Sequence, residues 1–416
     1  MKVFKFGGAS IKNADAIKNM CQIIANNATE KLVVVVSAMG KTTNNLESLL
    51  FNKAKQEAQD ENLKSLLEYH MDICRELFPS DHNIFNLLID QISELRTTLN
   101  KEMPFDQLYD QTVSVGELIS STIITNYLNL KGTSSLWLDA REYIRTSNSF
   151  REGHVDWKVT EELIKHDVKE LAKDQILVTQ GFIGRADNGL TTTLGREGSD
   201  FTAAIFASCL SAESVTVWKD VPGILNGDPK KVADTILFDE LPYQEAAEMT
   251  YYGATVIHPK TIKPLANKGI PLYVRSFDHP DEPGTIIHDC KLRTDLPPTI
   301  IIKNDQCLLS FKVVDFTFIN EDNLSLIFKT VSENDIKINI MQNSAISFSI
   351  VIDNDMKKIQ KLMVSLKDHF DIRYNSGLQL ITLKNYKPST LQEYRKDKKI
   401  LLEQISRNNY RALIAP

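Results

Sequence analysis

Apolar positions in the first two-thirds of the chain come in short runs that alternate with helical stripes. Val3–Phe6 is a strand-like run ending in Gly7-Gly8, after which Ile17, Met20, Cys21 and Ile24 fall on one helix face. Leu32–Val36 is continuous and β-branched, as a parallel strand covered on both faces requires. Leu63, Leu66, Leu67, His70, Met71, Cys74 and Leu77 hold a helical period, as do Leu88, Ile92, Leu95 and Leu99. Ser135–Leu138, Ile176–Gln180, Val215–Trp218 and Leu272–Arg275 read as further strands. Asn188-Gly189 reads as a hairpin turn, since both positions tolerate positive φ. This alternation predicts a layered α/β domain.

The pattern changes near residue 293. Arg293–Thr299 is polar and holds Pro297-Pro298, which suits a linker. Beyond it the rhythm becomes strand, helix, strand, strand, helix, strand. Cys307–Val314, Lys337–Met341 and Ser347–Ile352 are the expected strands. Leu324, Ile327, Phe328 and Val331 form one helix face; Ile359, Leu362, Met363, Leu366 and Phe370 form another. Leu378–Leu383, a helix from about Ser389, and Tyr410–Ile414 suggest a second, interleaved α+β unit of the same kind.

Composition narrows the function. The 416 residues carry 48 basic against 54 acidic side chains, a net charge of −6, which argues against a protein that coats nucleic acid. The longest purely apolar run, Leu32–Val36, has 5 residues, far short of the roughly 20 of a membrane helix. The N-terminus lacks the apolar stretch of a secretory signal, so a cytoplasmic protein is expected. The cysteines at 21, 74, 209, 290 and 307 lie far apart with no CxxC, and read as buried reduced thiols rather than a disulfide frame or zinc site. No resident metal is expected.

Gly40-Lys41-Thr42 after a buried strand imitates a Walker A loop, but Val35 stands where its first glycine belongs. Lys5-Phe6-Gly7-Gly8-Ala9-Ser10 carries more. Paired glycines between strand and helix leave backbone N–H groups open to an anion, and Lys5 on a core-like strand needs a partner at the strand end. In Thr191–Ala204, Gly195 and Gly198 bracket Arg196, which is suited to grip a carboxylate with two parallel hydrogen bonds. Ser199 or Asp200 can cap the apolar helix that follows, and Asp200 can orient a cationic group or a magnesium-bound water. Trp218–Lys231 is too rich in turn residues for a mere connection, and its lysines suit nucleotide phosphates.

These segments resemble the aspartate kinases. Lys5-Phe6-Gly7-Gly8, Ser37-Ala38-Met39, Val115-Gly116-Glu117, Leu138-Asp139-Ala140-Arg141-Glu142 and the stretch around Arg196 occur in the family's order. Asp220-Val221-Pro222-Gly223, Asp228-Pro229, Gly253-Ala254, His258-Pro259 and Pro283-Gly284-Thr285 continue it. The C-terminal third resembles that family's paired ACT regulatory modules, notably at Gln342-Asn343-Ser344 and Leu401-Leu402-Glu403-Gln404. The resemblance implies an α/β amino acid kinase-type layered domain over residues 1–292. Two ferredoxin-like α+β ACT modules are implied over 300–416, interleaved as about 315–374 and 300–314 plus 375–416.

The implied reaction is ATP-dependent phosphorylation of the L-aspartate side-chain carboxylate to 4-phospho-L-aspartate and ADP, the first step toward lysine, threonine and methionine. A carboxylate nucleophile is already ionised at neutral pH and needs no general base. Positioning and charge neutralisation suffice, with Mg2+ carried in by ATP. By correspondence Lys5 neutralises the transferring phosphoryl group, Gly7, Gly8 and Ser10 belong to the nucleotide site, and Asp200 positions Lys5 or a magnesium-bound water. Arg196 holds the substrate α-carboxylate, Glu117 its ammonium, and Thr43 and Ser199 add polar contacts. Lys219, Asp220, Leu225, Lys230, Thr255 and Val256 line the nucleotide site. His258 reads as structural.

An amino-acid effector, lysine or threonine, is expected near Met341, Gln342, Asn343 and Ser344, with a homodimer or larger assembly. With an end at 416, no fused homoserine dehydrogenase is expected. Three residues depart from the family: Glu197 replaces a loop glycine, Leu225 a frequent tyrosine, and Thr255 a lysine found in some relatives. A catalytically weak amino-acid sensor, or an amino acid kinase with another acceptor, remains the alternative.

Overall fold

The structure, a computed structural model, describes residues 1–27, 31–51, 56–195, 197–254, 256–291, 297–314 and 317–415. Two compact units emerge. The first comprises Met1–Ile224, Leu237–Thr250 and Thr255–Leu292; the second comprises Leu225–Ile236, Tyr251–Ala254 and Arg293–Pro416.

The first unit is built on an eight-stranded sheet. Its strands are β1 (Lys2–Phe6), β2 (Leu32–Val36), β3 (Ser135–Leu138), β4 (Ile176–Gln180), β5 (Ser214–Lys219), β6 (Glu240–Pro242), β7 (Leu272–Ser276) and β8 (Thr285–His288). The order across the sheet is β3-β4-β2-β1-β5-β7-β8-β6, parallel throughout except between β7 and β8. The continuous apolar runs predicted for β1, β2 and β4 are buried on both faces, which is why they lack the alternation of a half-exposed strand. Helices α1 (Thr42–Phe51), α2 (Phe105–Val113), α3 (Val115–Leu130), α4 (Gly198–Leu210) and α5 (Pro259–Ala266) supply the site and its supports. The long predicted stripes form helices Gln56–Leu77 and Ile84–Leu99. A three-stranded sheet contains the expected hairpin, with Asn188-Gly189 between Ile183–Ala186 and Thr191–Thr193.

Val35 sits buried inside β2, so no P-loop turn forms there. The short strands β6 and β8 escape the periodicity reading. Each has only three or four residues, and β6 ends in a proline.

The second unit holds a six-stranded antiparallel sheet: β9 (Thr299–Val313), β10 (Ile338–Asn343), β11 (Ser347–Asp353), β12 (Phe370–Lys384), β13 (Ile400–Ile405) and β14 (Asn409–Ile414), ordered β10-β11-β9-β12-β14-β13. Helices α6 (Glu321–Glu333) and α7 (Met356–Leu366) bear the predicted apolar faces, except that Phe370 lies beyond α7 and opens β12, where it pairs with Val313. The sequence pattern shows only the C-terminal halves of β9 and β12. Both are 15 residues long, and the polar run Lys303–Gln306 masks the continuity of β9 where its register shifts. Two apolar clusters each take one half of these strands, one with Cys307, Leu309, Phe311 and Phe370, another with Ile300, Ile381, Leu383 and Tyr410, while a third, with Ile340, Val351, Leu378, Leu402 and Leu413, draws on both halves. The linker stretch is described only from Pro297, and Leu292–Leu296 lie outside the described residues.

All five cysteines are free thiols, but only Cys21, Cys74, Cys209 and Cys307 are buried. Cys290 corrects the expectation of five buried thiols: it follows β8 near the sheet edge and is half-exposed. Among the described residues no helix is long and apolar enough to cross a membrane.

Candidate functional site

Strand β1 lies centrally, with β2 on one side and β5 on the other; Lys5 stands opposite Val35 and Val217. Ligands gather at such a place, where parallel strands end and their connections diverge. Gly7 leads from β1 into a single 3-10 turn, Gly8–Ile11. Gly8 is required by close approach: a Cβ there would stand 2.6 Å from the Ala38 carbonyl oxygen. The Gly40 N–H donates to Gly8 O at 3.0 Å, locking the loops after β1 and β2 together. Ser10 is buried beneath them, its hydroxyl 3.4 Å from the Trp218 carbonyl.

Lys5 turns its ammonium back over this loop, 3.6 Å from where a Gly7 side chain would begin. It is 7% exposed and pairs with Asp200 Oδ1 at 2.7 Å. Lys219, at the end of β5, reaches the other oxygen of Asp200 at 3.2 Å. Burial on its own raises a carboxyl pKa, but the charges of Lys5 and Lys219 outweigh it and hold Asp200 below the ordinary carboxylate range. Two cations around one anion leave a net positive, largely dry strand tip.

Asp200 and Ser199 occupy the first turn of α4, and Ser199 packs against Gly181, where a Cβ would collide with it at 2.4 Å. The helix enters through Glu197 in the left-handed conformation, φ 53° and ψ 29°. That geometry suits the glycine that the family resemblance leads one to expect there, and glutamate in its place carries a backbone cost.

Glu117, on the first turn of α3, is 3% exposed. Its Oε1 accepts the Ala38 N–H at 3.2 Å, while Oε2 has no hydrogen-bond partner among the described residues. Burial pushes its carboxyl up to about 8, against lowering by the Ala38 N–H, its own backbone and the charge of Lys5. A buried carboxylate with one oxygen unsatisfied is a receptor for a cation. Thr43 lies half-buried on the first turn of α1. Its neighbour Thr42 has its hydroxyl 3.3 Å from His70 Nε2, and burial lowers that imidazole to about 4.

Lys5, Asp200 and Lys219 are therefore brought into contact, with Glu117 held on the loop after β2 and within the field of Lys5. Asp220 is exposed and Val256 half-buried in the first unit, whereas Leu225 and Lys230 belong to the second. Arg196 and Thr255 lie outside the described residues. Met341, Gln342, Asn343 and Ser344 are exposed at and just beyond the end of β10, an edge strand of the second sheet. His258 caps α5, accepting the Lys260 N–H at Nδ1, which fits a structural role.

Asp110 is missed by motif reading. Fully buried on α2, it accepts the N–H of Arg151 at 2.9 Å and both the N–H and hydroxyl of Thr193 at 2.9 and 2.8 Å. It thus fixes the strand leading to Gly195. The available signal was one acid following Leu108-Tyr109 on a short helix, which reads equally as a solvated face.

The sequence profile described as the amino acid kinase family matches residues 1–276. The lysine-sensitive aspartokinase 3 of Escherichia coli is 30% identical over 395 residues, covering 92% of this chain and 86% of that protein. The chain belongs to the amino acid kinase family, among the aspartokinases. A chloroplast bifunctional aspartokinase/homoserine dehydrogenase of Arabidopsis thaliana is 33% identical, but the chain covers only 34% of its length. The crystal structure of E. coli aspartokinase III in complex with aspartate and ADP superposes with a TM-score of 0.87 at 27% identity, over 100% of this chain and 96% of that one. The fold is accordingly the amino acid kinase type, followed by an antiparallel sheet of the kind that ACT modules of aspartokinases build.

Proposed function

We propose that this chain transfers the γ-phosphoryl group of ATP to the side-chain carboxylate of L-aspartate, giving 4-phospho-L-aspartate and ADP. The observation that carries the reading is the buried Lys5–Asp200–Lys219 cluster at a glycine-lined strand tip, next to a carboxylate with an unsatisfied oxygen. Two reactants of like charge, a polyphosphate and a carboxylate, repel one another. The strand tip offsets that repulsion with fixed cations and the open amides of the Gly7-Gly8 turn. Glu117 takes the substrate ammonium, and that ion pair completes the buried carboxylate. Arg196 takes the α-carboxylate, with Thr43 and Ser199 as polar contacts. The E. coli relative bound to aspartate and ADP supports this pairing of ligands.

Gly7, Gly8, Ser10, Lys219, Asp220, Leu225, Lys230, Thr255 and Val256 are assigned to ATP. Asp200 has both oxygens engaged by lysines, so it suits orienting a metal-bound water better than ligating an ion directly. Mg2+ fits as a companion of the nucleotide and supplies charge neutralisation on its phosphates. The catalytic machinery is assigned to residues 1–292 and regulation to 300–416, as modules of about 315–374 and 300–314 plus 375–416. The shared 15-residue strands and the two apolar clusters support that division. Feedback by lysine is supported by the lysine-sensitive relative; Met341–Ser344 are assigned as the contact region, and a homodimer or larger as the assembly. A reducing cytoplasm suits five free thiols.

The test is trapping of the acyl phosphate as aspartyl hydroxamate alongside ADP release. Wild type should give both in equal amounts, and Lys5→Ala should lose about 3 kcal/mol or more of transition-state stabilisation, a drop in kcat of roughly a hundred-fold or more. ADP release without hydroxamate, or near-normal turnover in that variant, would sink the assignment.

A further inference from the structure

At the far side of the eight-stranded sheet a second constellation appears, unrelated to the phosphate chemistry. Glu240 opens β6, His288 closes β8, and Cys290 follows two residues later. Their carboxylate oxygen, imidazole nitrogen and thiol sulfur all lie within 4.8 Å of one another. His288 Nε2 is already 3.0 Å from Glu240 Oε2. Strand register produces this meeting: β6 and β8 run parallel, with Ile286 opposite Glu240 and His288 opposite Pro242. Because β8 runs antiparallel to β7, with Ile287 opposite Leu272, the cluster sits at the end where the parallel strands begin. Lys5 and Lys219 lie toward the end where those strands finish.

The combination is chemically selective. One carboxylate, one imidazole and one thiol match the donors of tetrahedral zinc sites, and three protein ligands leave a fourth position for water. The thiol and imidazole disfavour Mg2+, which takes oxygen ligands in a near-octahedral shell. With bonds of about 2.0–2.3 Å, tetrahedral ligands stand roughly 3.3–3.8 Å apart, close to the separations of at most 4.8 Å found here. The half-exposed His288 and Glu240 side chains, at 31% and 39%, leave an entry path. We propose that Glu240, His288 and Cys290 form a three-ligand site for a borderline-soft divalent cation, of which Zn2+ is the best match. Binding exchanges the Cys290 S–H for a metal–sulfur bond and releases the proton to solvent. The ion ties the three-residue edge strand β6 to β8 and to the segment that leaves the sheet, so it stabilises the folded edge by mass action.

The full-length chain, stripped with a chelator and kept reduced, is titrated with Co2+ in the presence of excess Mg2+. One equivalent should bind with the strong visible bands of tetrahedral cobalt and a thiolate-to-cobalt charge-transfer band in the near ultraviolet, and Zn2+ should displace it. Cys290→Ser should abolish the charge-transfer band, an assignment made clean by the burial of the other four cysteines. Cys290→Ser, His288→Gln and Glu240→Gln should each weaken binding about ten-fold or more, a loss comparable to that from removing second-shell partners of known sites. Zn2+ should raise the thermal midpoint of wild type and leave the Cys290→Ser/His288→Gln double variant unmoved, with the kinase rates of the metal-stripped proteins, assayed with Mg2+ and ATP and no Zn2+, unchanged in all. A charge-transfer band that survives in Cys290→Ser, or equal Co2+ affinity in wild type and the two single variants Glu240→Gln and His288→Gln, overturns the site.

Discussion

Asp110, Asp200 and Glu117 in the first unit are each at most 3% exposed, and each is neutralised differently. Asp200 is bracketed by two lysines, Asp110 is wrapped by three N–H and O–H donors, and Glu117 receives one N–H and has an oxygen left over. The consequence shows in their titration. Asp200 is held below the usual range; burial raises Asp110 despite the donors from Arg151 and Thr193; Glu117 is driven up to about 8. The same functional group is thus a completed ion pair, a structural knot, or an acceptor with one oxygen unsatisfied.

The largest effect is expected where the pair is complete. Asp200→Asn leaves two lysine charges uncompensated in a dry site, and should destabilise the first unit by about 3–5 kcal/mol as well as abolishing turnover. Chemical denaturation followed beside activity would read both, and a stability unchanged from wild type would contradict the buried-pair reading.

Glu117 predicts a proton. Its folded carboxyl is raised above the unfolded value of 4.5, so it stays protonated in the free protein at pH 7 while the unfolded chain is ionised. Stability from this group is therefore whole below about 4.5, declines as pH rises, and is fully lost above about 8. An ammonium docking on Glu117 favours the ionised form. Aspartate binding near pH 7 should release a proton, measured by calorimetry in buffers of different ionisation enthalpy. Glu117→Gln should abolish that release and raise the KM for aspartate by roughly ten- to a hundred-fold, the worth of a charge-assisted hydrogen bond.

Asp110 should behave as a knot. Replacing it with alanine orphans buried donors on Arg151 and Thr193, at about 1–3 kcal/mol each. Proteolysis next to Thr193 should accelerate before global unfolding, and equal cleavage rates would remove Asp110 from the support of that strand. The smallest effect concerns Glu197. Glycine there relieves the left-handed backbone but adds freedom to the unfolded chain, so Glu197→Gly should gain at most about 1 kcal/mol. It should keep or modestly increase activity. A marked fall in kcat would mean that the Glu197 carboxylate itself takes part.

How far these sites could be read beforehand follows the same division. Lys5 was legible because a cation on an apolar strand before two glycines demands an explanation, and Asp200 because it opens an apolar helix. What each lysine touches was not, since residues 5, 200 and 219 meet only through the order of β1 and β5 and the packing of α4. Asp110 was invisible because its partners, Arg151 and Thr193, are 41 and 83 residues away. The layered sheet was legible from buried runs such as Leu32–Val36, whereas β6, with a three-residue span, carries too few side chains to display a period. Likewise β9 was seen only from Cys307, because its polar middle breaks the apolar pattern without breaking the backbone ladder.

Those two 15-residue strands have a mechanical meaning. Each of the paired C-terminal cores borrows one half of β9 and one half of β12, so neither owns a private backbone frame. Tension applied to one is delivered along continuous polypeptide to the other without any hinge domain or linker to absorb it. A small molecule that stiffens either half acts on a shared beam, and a chain cut midway along that beam would slacken both ends at once.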